Sequence, residues 1–328
     1  MNWFEQLFGF TETDWESNQR QFSLDGRTLT SKANGVRWNI GEFSTPSLGE
    51  LRARARARVH AQPSTLTHEV VGDALALHAD PANAGAMFQA ASQFNTLEFP
   101  GPDVTPEAGI TGYAHDMTQG PACALATAPA TVFRNYFAPV DGGIGQRADR
   151  QINNLRDLEA SLPGGPYWTV RNGYVDADPK ALKCFNAQLE ELDREQLKAA
   201  LRIGIQSQAD VVFASRYAPL KPTHTVSQAY CSALSCGYSR ATNDLWEPLA
   251  RLVLEAAYEA TLLAAAIERD TGHGTGVVWL TLLGGGVFGN DSTWIADAIR
   301  TALERSQHLA LDIRLAHFRR LDERYQQI

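Results

Sequence analysis

Two stretches of this 328-residue chain carry residue types that can do chemistry at a small-molecule site. The first is the run Gly284, Gly285, Gly286, Val287, Phe288, Gly289, Asn290. Three consecutive glycines strip a segment of backbone of side chains. Its amides can then cradle an anion, helped by the partial positive charge of a helix that follows. Phe288 would sit beside the phosphates and could stack on a sugar or base. No Lys-Ser/Thr follows, so this is not a Walker A loop, and it opens the last unit of the chain, not the usual place of a nicotinamide GxGxxG. The plainer use of such a loop is tight packing alone. The second stretch is 100–121, PGPDVTPEAGITGYAHDMTQGP, too long for an ordinary connection. It offers Glu107, Asp116 and Gln119, with Tyr113 and His115, among glycines. Carboxylates there can stabilise positive charge, orient hydroxyls or activate water. Each also has a structural use, Asp116 capping a helix that begins near Thr118 and Glu107 capping the turn after Pro106. His115, alone beside a helix start, reads as structural.

These residues need a scaffold. The apolar run 277–283 suits a central strand leading into the glycine loop. A helix follows at 291–306, with Ile295, Ala298, Ile299, Ala302 and Leu303 on one face. Residues 308–318 alternate, turning Leu309, Leu311, Ile313 and Leu315 inward as a strand. Upstream lie a buried strand at 209–214, another at 225–231, and a long helix over 245–269 whose Glu247, Arg251, Glu255 and Glu259 fall on a solvated side. Further strands are expected at 70–79, 87–95 and 130–137. In the last, Arg134 and Asn135 point to opposite faces. Residues 152–162 read as helical. Asn172-Gly173 makes 167–175 a hairpin. Asp178-Pro179 and Asp193 with Gln196 start two helices within 178–205. The first fifty residues alternate aromatics (Trp3, Phe4, Phe8, Phe10) with polar turns, as an arm packed on a larger body. The chain ends as α/β, and in such sheets ligands bind beyond the carboxyl ends of the strands, where the glycine loop falls.

Composition narrows the partners. With 29 Lys+Arg against 37 Asp+Glu the net charge is −8, poor for general nucleic-acid binding. The one basic run, Arg52, Arg54, Arg56 and Arg58, reads as a solvated face. Cys123, Cys184, Cys231 and Cys236 show no metal-ligand spacing and are expected to be reduced. The N-terminus lacks a basic signal-peptide region, and the longest apolar stretch, 277–288, is shorter than the ~20 residues that span a bilayer. The expectation is a soluble, cytoplasmic chain with no nucleic-acid or membrane partner.

The segment LTLLGGGVFGNDSTWIADAI resembles the last strand–loop–helix of the macrodomain superfamily, whose glycine-rich loop wraps the diphosphate of ADP-ribose. FQAASQFN, PEAGITGYAHDMTQGPA, TVFRNYF, YCSALSCGYS and NDLWEPLARLVLEAAYEAT resemble its arginine-specific ADP-ribosylhydrolase branch, over about 73–318. The resemblance implies a macrodomain-like three-layer α/β/α domain with a mixed central sheet over 66–328. It also implies an N-terminal extension over 1–65 and a helical and hairpin insertion at about 141–206. By the same resemblance Asn95 lies near the proximal ribose and Gly284, Gly285, Gly286, Val287, Phe288, Gly289 and Asn290 hold the diphosphate. Asp244 is a further carboxylate close to a loop that reaches the ligand. No metal and no cofactor is implied, and the partner is a protein carrying ADP-ribose on arginine. The loop 107–120 departs from the usual catalytic loop of that superfamily, so Glu107, Asp116 and Gln119 stand as candidates. The same features also fit a non-catalytic ADP-ribose reader, or a hydrolase of a free ADP-ribose derivative.

Overall fold

A computed structural model describes residues 1–55, 62–216 and 218–328. Arg56 and Arg58 of the basic run lie outside the described residues. Seven strands make the central sheet: β1 (Glu42–Ser44), β2 (Thr65–Val71), β3 (Met87–Ala91), β4 (Gly204–Asp210), β5 (Thr225–Cys231), β6 (Val277–Leu280) and β7 (Asp312–Phe318). Their order is β1-β4-β5-β3-β6-β7-β2. From β5 to β2 all neighbours are parallel, while β4 runs against both β5 and β1. The mixed α/β sheet expected from the sequence is therefore observed. All the parallel strands end on one edge, so the loops after them meet there.

Alternation along the strands separates two helical layers. Met87, Val278, Leu280, Ile313 and Leu315 face the layer built by α1 (Leu48–Ala55), α5 (Asn243–Asp270) and α6 (Ser292–Ser306). Phe88 and Trp279 face the other way, towards α2 (Ala74–Ala79). That second layer continues through α3 (Gln119–Ala126) and α4 (Ala128–Tyr136), packed with the aromatics of the N-terminal helix Trp3–Phe8. Burial of these apolar faces on a twisted sheet is what stabilises the arrangement.

Several expectations are corrected. Residues 70–79 are not one strand. β2 ends at Val71, and Asp73 accepts from the Leu75 amide (2.9 Å) to start α2, an N-cap inside an apolar run. The stretch expected as a strand at 130–137 is helical as far as Tyr136: Pro129 sits in the first turn of α4, and the helix buries both Arg134 and Asn135. The expected strand at 209–214 straddles the end of β4 and a short strand at Phe213–Ser215. Strand β7 begins only at Asp312, after a 3-10 turn over Gln307–Leu309. Glu255 and Glu259 of α5 are not on a solvated side. Glu255 pairs with Lys198 (3.0 Å) and Glu259 with Arg52 (2.5 Å), which docks α1 and the helix Arg194–Ala200 on α5.

Strand β5, the hairpin Thr169–Arg171/Tyr174–Asp176 with Asn172 and Gly173 at positive φ, and the Asp178 and Asp193 caps are as read from the sequence. Cys123, Cys231 and Cys236 are buried free thiols and Cys184 is an exposed one. Among the described residues no helix is long and apolar enough to cross a membrane.

The N-terminal arm has a job. Glu12 accepts from the amides of Ile110 (2.9 Å) and Thr111 (2.7 Å) and from the Tyr136 hydroxyl (2.6 Å). Trp3 donates its indole N–H to the Thr111 carbonyl at 2.8 Å. The long loop after β3 is thus braced from outside by the arm.

Candidate active site

Beyond the carboxyl ends of β3, β6, β7 and β2 lies a cavity of about 770 Å³. Its volume falls in the range usual for ligand pockets. The glycine loop forms one wall. Residues 284–288 line the cavity, and 285–287 are exposed. Gly284 has φ +72°, and a Cβ there would come within 2.4 Å of Ala233. Only glycine lets the chain turn this closely over the neighbouring loop. Gly289 and Asn290 do not line the cavity. Asn290 is buried and donates to the Leu234 carbonyl (2.7 Å), holding the loop from behind. Phe288 meets Tyr174 (5.5 Å between centroids) and Tyr238 (5.8 Å), an aromatic cluster at the mouth.

The facing wall is the start of α3. Gln119 is committed to the sheet: its Oε1 accepts from the Ala91 amide and its Nε2 donates to the Gln89 carbonyl, both at 2.8 Å. Gly120 lets the helix press on β3, because a Cβ there would lie 1.8 Å from the Ala91 oxygen. Gln119 therefore fixes where α3 begins, with both of its side-chain amide heteroatoms bonded to the β3 backbone. Asp116 lines the cavity, half-buried, with Oδ1 accepting from the Thr118 amide (2.8 Å) and hydroxyl (2.6 Å). Its cap and its place at the cavity coexist.

Besides Gly289 and Asn290, three expected residues do not reach the cavity. Glu107 lies on the far side of the loop, both carboxylate oxygens accepting from the Ala148 amide (3.0 and 3.1 Å) and facing Arg147 (3.6 Å). Asn95 is buried beneath the hairpin, donating to Gln151 (2.8 Å) and accepting from the Leu97 amide (3.1 Å). Asp244 is exposed in the first turn of α5 and is not part of the lining. Sequence position alone could not separate these from Asp116.

Glu98 is the site residue the sequence reading passed over. It lines the cavity at 1% exposure, its Oε2 3.4 Å from the Arg134 guanidinium and its Oε1 buried with no hydrogen-bond partner. Burial pushes its pKa up to about 7, against the pull of Arg134. Arg134 stacks on Tyr230 at 3.7 Å and donates to the Thr96 carbonyl (3.0 Å), so the pair sits in a fixed frame. The available signal was a lone carboxylate in the apolar run TLEFP. His78, also in the lining, is fully buried, stacked on Phe88 at 3.8 Å, and burial lowers its pKa to about 4. No cluster of His, Cys, Asp and Glu that could hold a metal occurs among the described residues.

No protein-family model matches the chain, and no curated protein matches it. Solved structures with a similar course of chain include poly(ADP-ribose) glycohydrolase from Deinococcus radiodurans in complex with ADP-ribose (TM-score 0.49, 14% identity, 87% of this chain and 92% of that one). Poly(ADP-ribose) glycohydrolase from Thermomonospora curvata gives a TM-score of 0.45 at 15% identity, over 94% of this chain and 92% of that one. The same enzyme bound to the inhibitor ADP-HPD gives 0.42 at 13%, over 95% of each chain. At these values the likeness assigns neither a residue nor a reaction to this chain, and the reading below stands on the cavity itself.

Proposed function

We propose that the cavity binds ADP-ribose and that the chain hydrolyses the N-glycosidic bond of mono-ADP-ribosyl-arginine on proteins. The observation that carries this reading is one cavity in which a side-chain-free loop at a strand's carboxyl end faces a buried carboxylate and a half-buried one. The loop suits a diphosphate, whose charge backbone amides can meet without lysines. Remote binding of that group holds the ribose still for reaction.

Cleavage breaks the bond between the anomeric carbon and the guanidinium nitrogen. The bonding pair leaves with the nitrogen, and positive charge moves onto the sugar in an oxocarbenium-like transition state. Carboxylates are the groups that stabilise such charge. Asp116, held by Thr118, suits the substrate guanidinium and with it the choice of arginine. Glu98, with a pKa of about 7, suits proton exchange with the attacking water near neutral pH. Gln119 acts as a positioning residue for α3, and Glu107 has no part in the reaction.

The test is incubation with arginine-ADP-ribosylated protein. Release of ADP-ribose by the wild type, and its loss in Asp116→Asn, is expected. Tight ADP-ribose binding with no release by the wild type would reduce the protein to a reader. Turnover confined to a free ADP-ribose ester would move the substrate away from protein arginine.

A further inference from the structure

Three cationic side chains are buried among the described residues: Arg134, Lys198 and Arg216. Two have carboxylate partners, Arg134 with Glu98 (3.4 Å) and Lys198 with Glu195 (2.6 Å) and Glu255 (3.0 Å). Arg216 has none. It is 7% exposed, its Nη1 donates to the Tyr113 carbonyl at 3.3 Å, and its Nε is buried without a hydrogen-bond partner. A buried charge left unpaired costs stability that the fold must recover elsewhere, unless an anion from outside completes it.

The position of Arg216 says where that anion comes from. It follows the strand Phe213–Ser215, which packs against α2 and α3, and it lines the cavity described above. The glycine loop enters the same cavity from the strand that leads into α6, in the opposite layer. Beside Arg216 the first turn of α3 also lines the cavity, and there the amides of Gln119 and Gly120 have no partner within the helix, while Pro121 has no N–H. Thr118 makes no side-chain cap there, and Asp116 bonds to the amide and hydroxyl of Thr118 and to neither of those amides. A planar guanidinium with free donors matches the oxygens of a phosphate better than a single oxygen ligand.

We propose that Arg216 is a phosphate anchor, binding a phosphate group of the ligand from the layer opposite the glycine loop. Its identification with the ADP-ribose diphosphate rests on the reading above, whereas the anchor itself needs only a phosphate. The cavity then clamps a diphosphate between backbone on one side and a buried guanidinium on the other.

Inorganic pyrophosphate and ADP-ribose are titrated calorimetrically into the wild type, Arg216→Met and Arg216→Lys, with Tm measured on each protein without ligand. The wild type binds both; Arg216→Met loses about tenfold or more for both, as loss of a charged hydrogen bond requires. Arg216→Lys falls between. Without ligand, Arg216→Met melts no lower than the wild type, because an unpaired buried charge has been removed. Pyrophosphate binding unchanged in Arg216→Met overturns the anchor, and so does a lowered Tm with unchanged affinity, which marks a structural tie through Tyr113. A wild type that binds pyrophosphate but not ADP-ribose overturns the ADP-ribose reading and leaves the anchor standing. A wild type that binds neither overturns both.

Discussion

The two walls of the cavity are made of different material. The wall at 284–286 is backbone: largely exposed, free of side chains, and unable to titrate. The wall around α3 is made of side chains, Glu98 and Asp116 among them, with Arg134 and Tyr113 packed behind Glu98. A backbone wall presents fixed dipoles and incurs no charge-desolvation cost of its own. The side-chain wall bears that cost, and in return holds a carboxyl whose proton moves near neutral pH. Apart from the phosphate anchor at Arg216, binding and bond cleavage should therefore be separable by mutation, wall by wall.

The largest effect is expected on the charged wall. Glu98→Gln keeps the size and the hydrogen-bonding capacity but removes the titrating group, so kcat for ADP-ribose release should fall by roughly 10²–10⁴. ADP-ribose affinity should change little, because the glycine wall is untouched. A loss that appears in Kd with kcat intact would break the division between the walls. The converse substitution is Gly284→Ala. Its φ of +72° and the 2.4 Å approach to Ala233 strain any added Cβ, at about 1–3 kcal/mol. ADP-ribose binding should fall with it. Gly286→Ala, whose Cβ would meet nothing within 4 Å, should leave the Tm near that of the wild type. Equal Tm losses in both variants, followed by thermal melts, would mean the loop is not shaped by those contacts.

The same contrast explains what could be read from the sequence. The glycine wall was legible because its elements are local: an apolar run, three glycines and an amphipathic helix occur in order along 277–306. Their edges were set by single residues, such as the Asp291 cap on Thr293 (2.7 Å). The charged wall was not legible. Asp116 and Glu107 are nine residues apart in one loop, yet Glu12 from the arm and the Ala148 amide decide that only Asp116 lines the cavity. Helix α4 was read as a strand because Thr131, Val132 and Phe133 favour strands locally. Packing of Ala128, Ala130, Val132 and Tyr136 into the cluster with the N-terminal aromatics, from a helix start at Pro129, overrode that preference. Arg216 had no signal at all, since the lack of a partner is a property of the folded neighbourhood.

A smaller effect separates the walls by pH. Folding raises the Glu98 pKa from 4.5 to about 7, so it favours the protonated form. The stability this contributes is complete below about pH 4.5 and is lost as pH rises through 7. His78 works in reverse: with its pKa lowered from 6.5 to about 4, its contribution is complete above 6.5 and is lost as pH falls through 4. The two slopes oppose each other between about pH 4.5 and 6.5, so the wild-type Tm should vary little there. In Glu98→Gln the slope that opposes His78 is gone, and Tm should rise more steeply with pH than in the wild type over that window. The Tm of Glu98→Gln should therefore rise progressively above that of the wild type from pH 4.5 to 7, and a difference that stays constant over that range would mean that Glu98 is ionised throughout.

The smallest effect is expected where the sequence and the fold disagree most about a carboxylate. Glu107 is one-third exposed, accepts from Ala148 and faces Arg147 across 3.6 Å. An exposed pair of this kind contributes about 0–1 kcal/mol. Glu107→Gln should thus cost at most a slight fall in Tm and leave kcat/KM for ADP-ribose release within about twofold of the wild type. The variant matters for the comparison because Glu107 shares its loop with Asp116. If it lowered kcat as much as Asp116→Asn, the charged wall would have to extend across the loop, and its bracing by Glu12 would have to yield during the reaction. If only Asp116→Asn loses activity, the side of the loop that each residue occupies is what distinguishes a reacting carboxylate from a structural one.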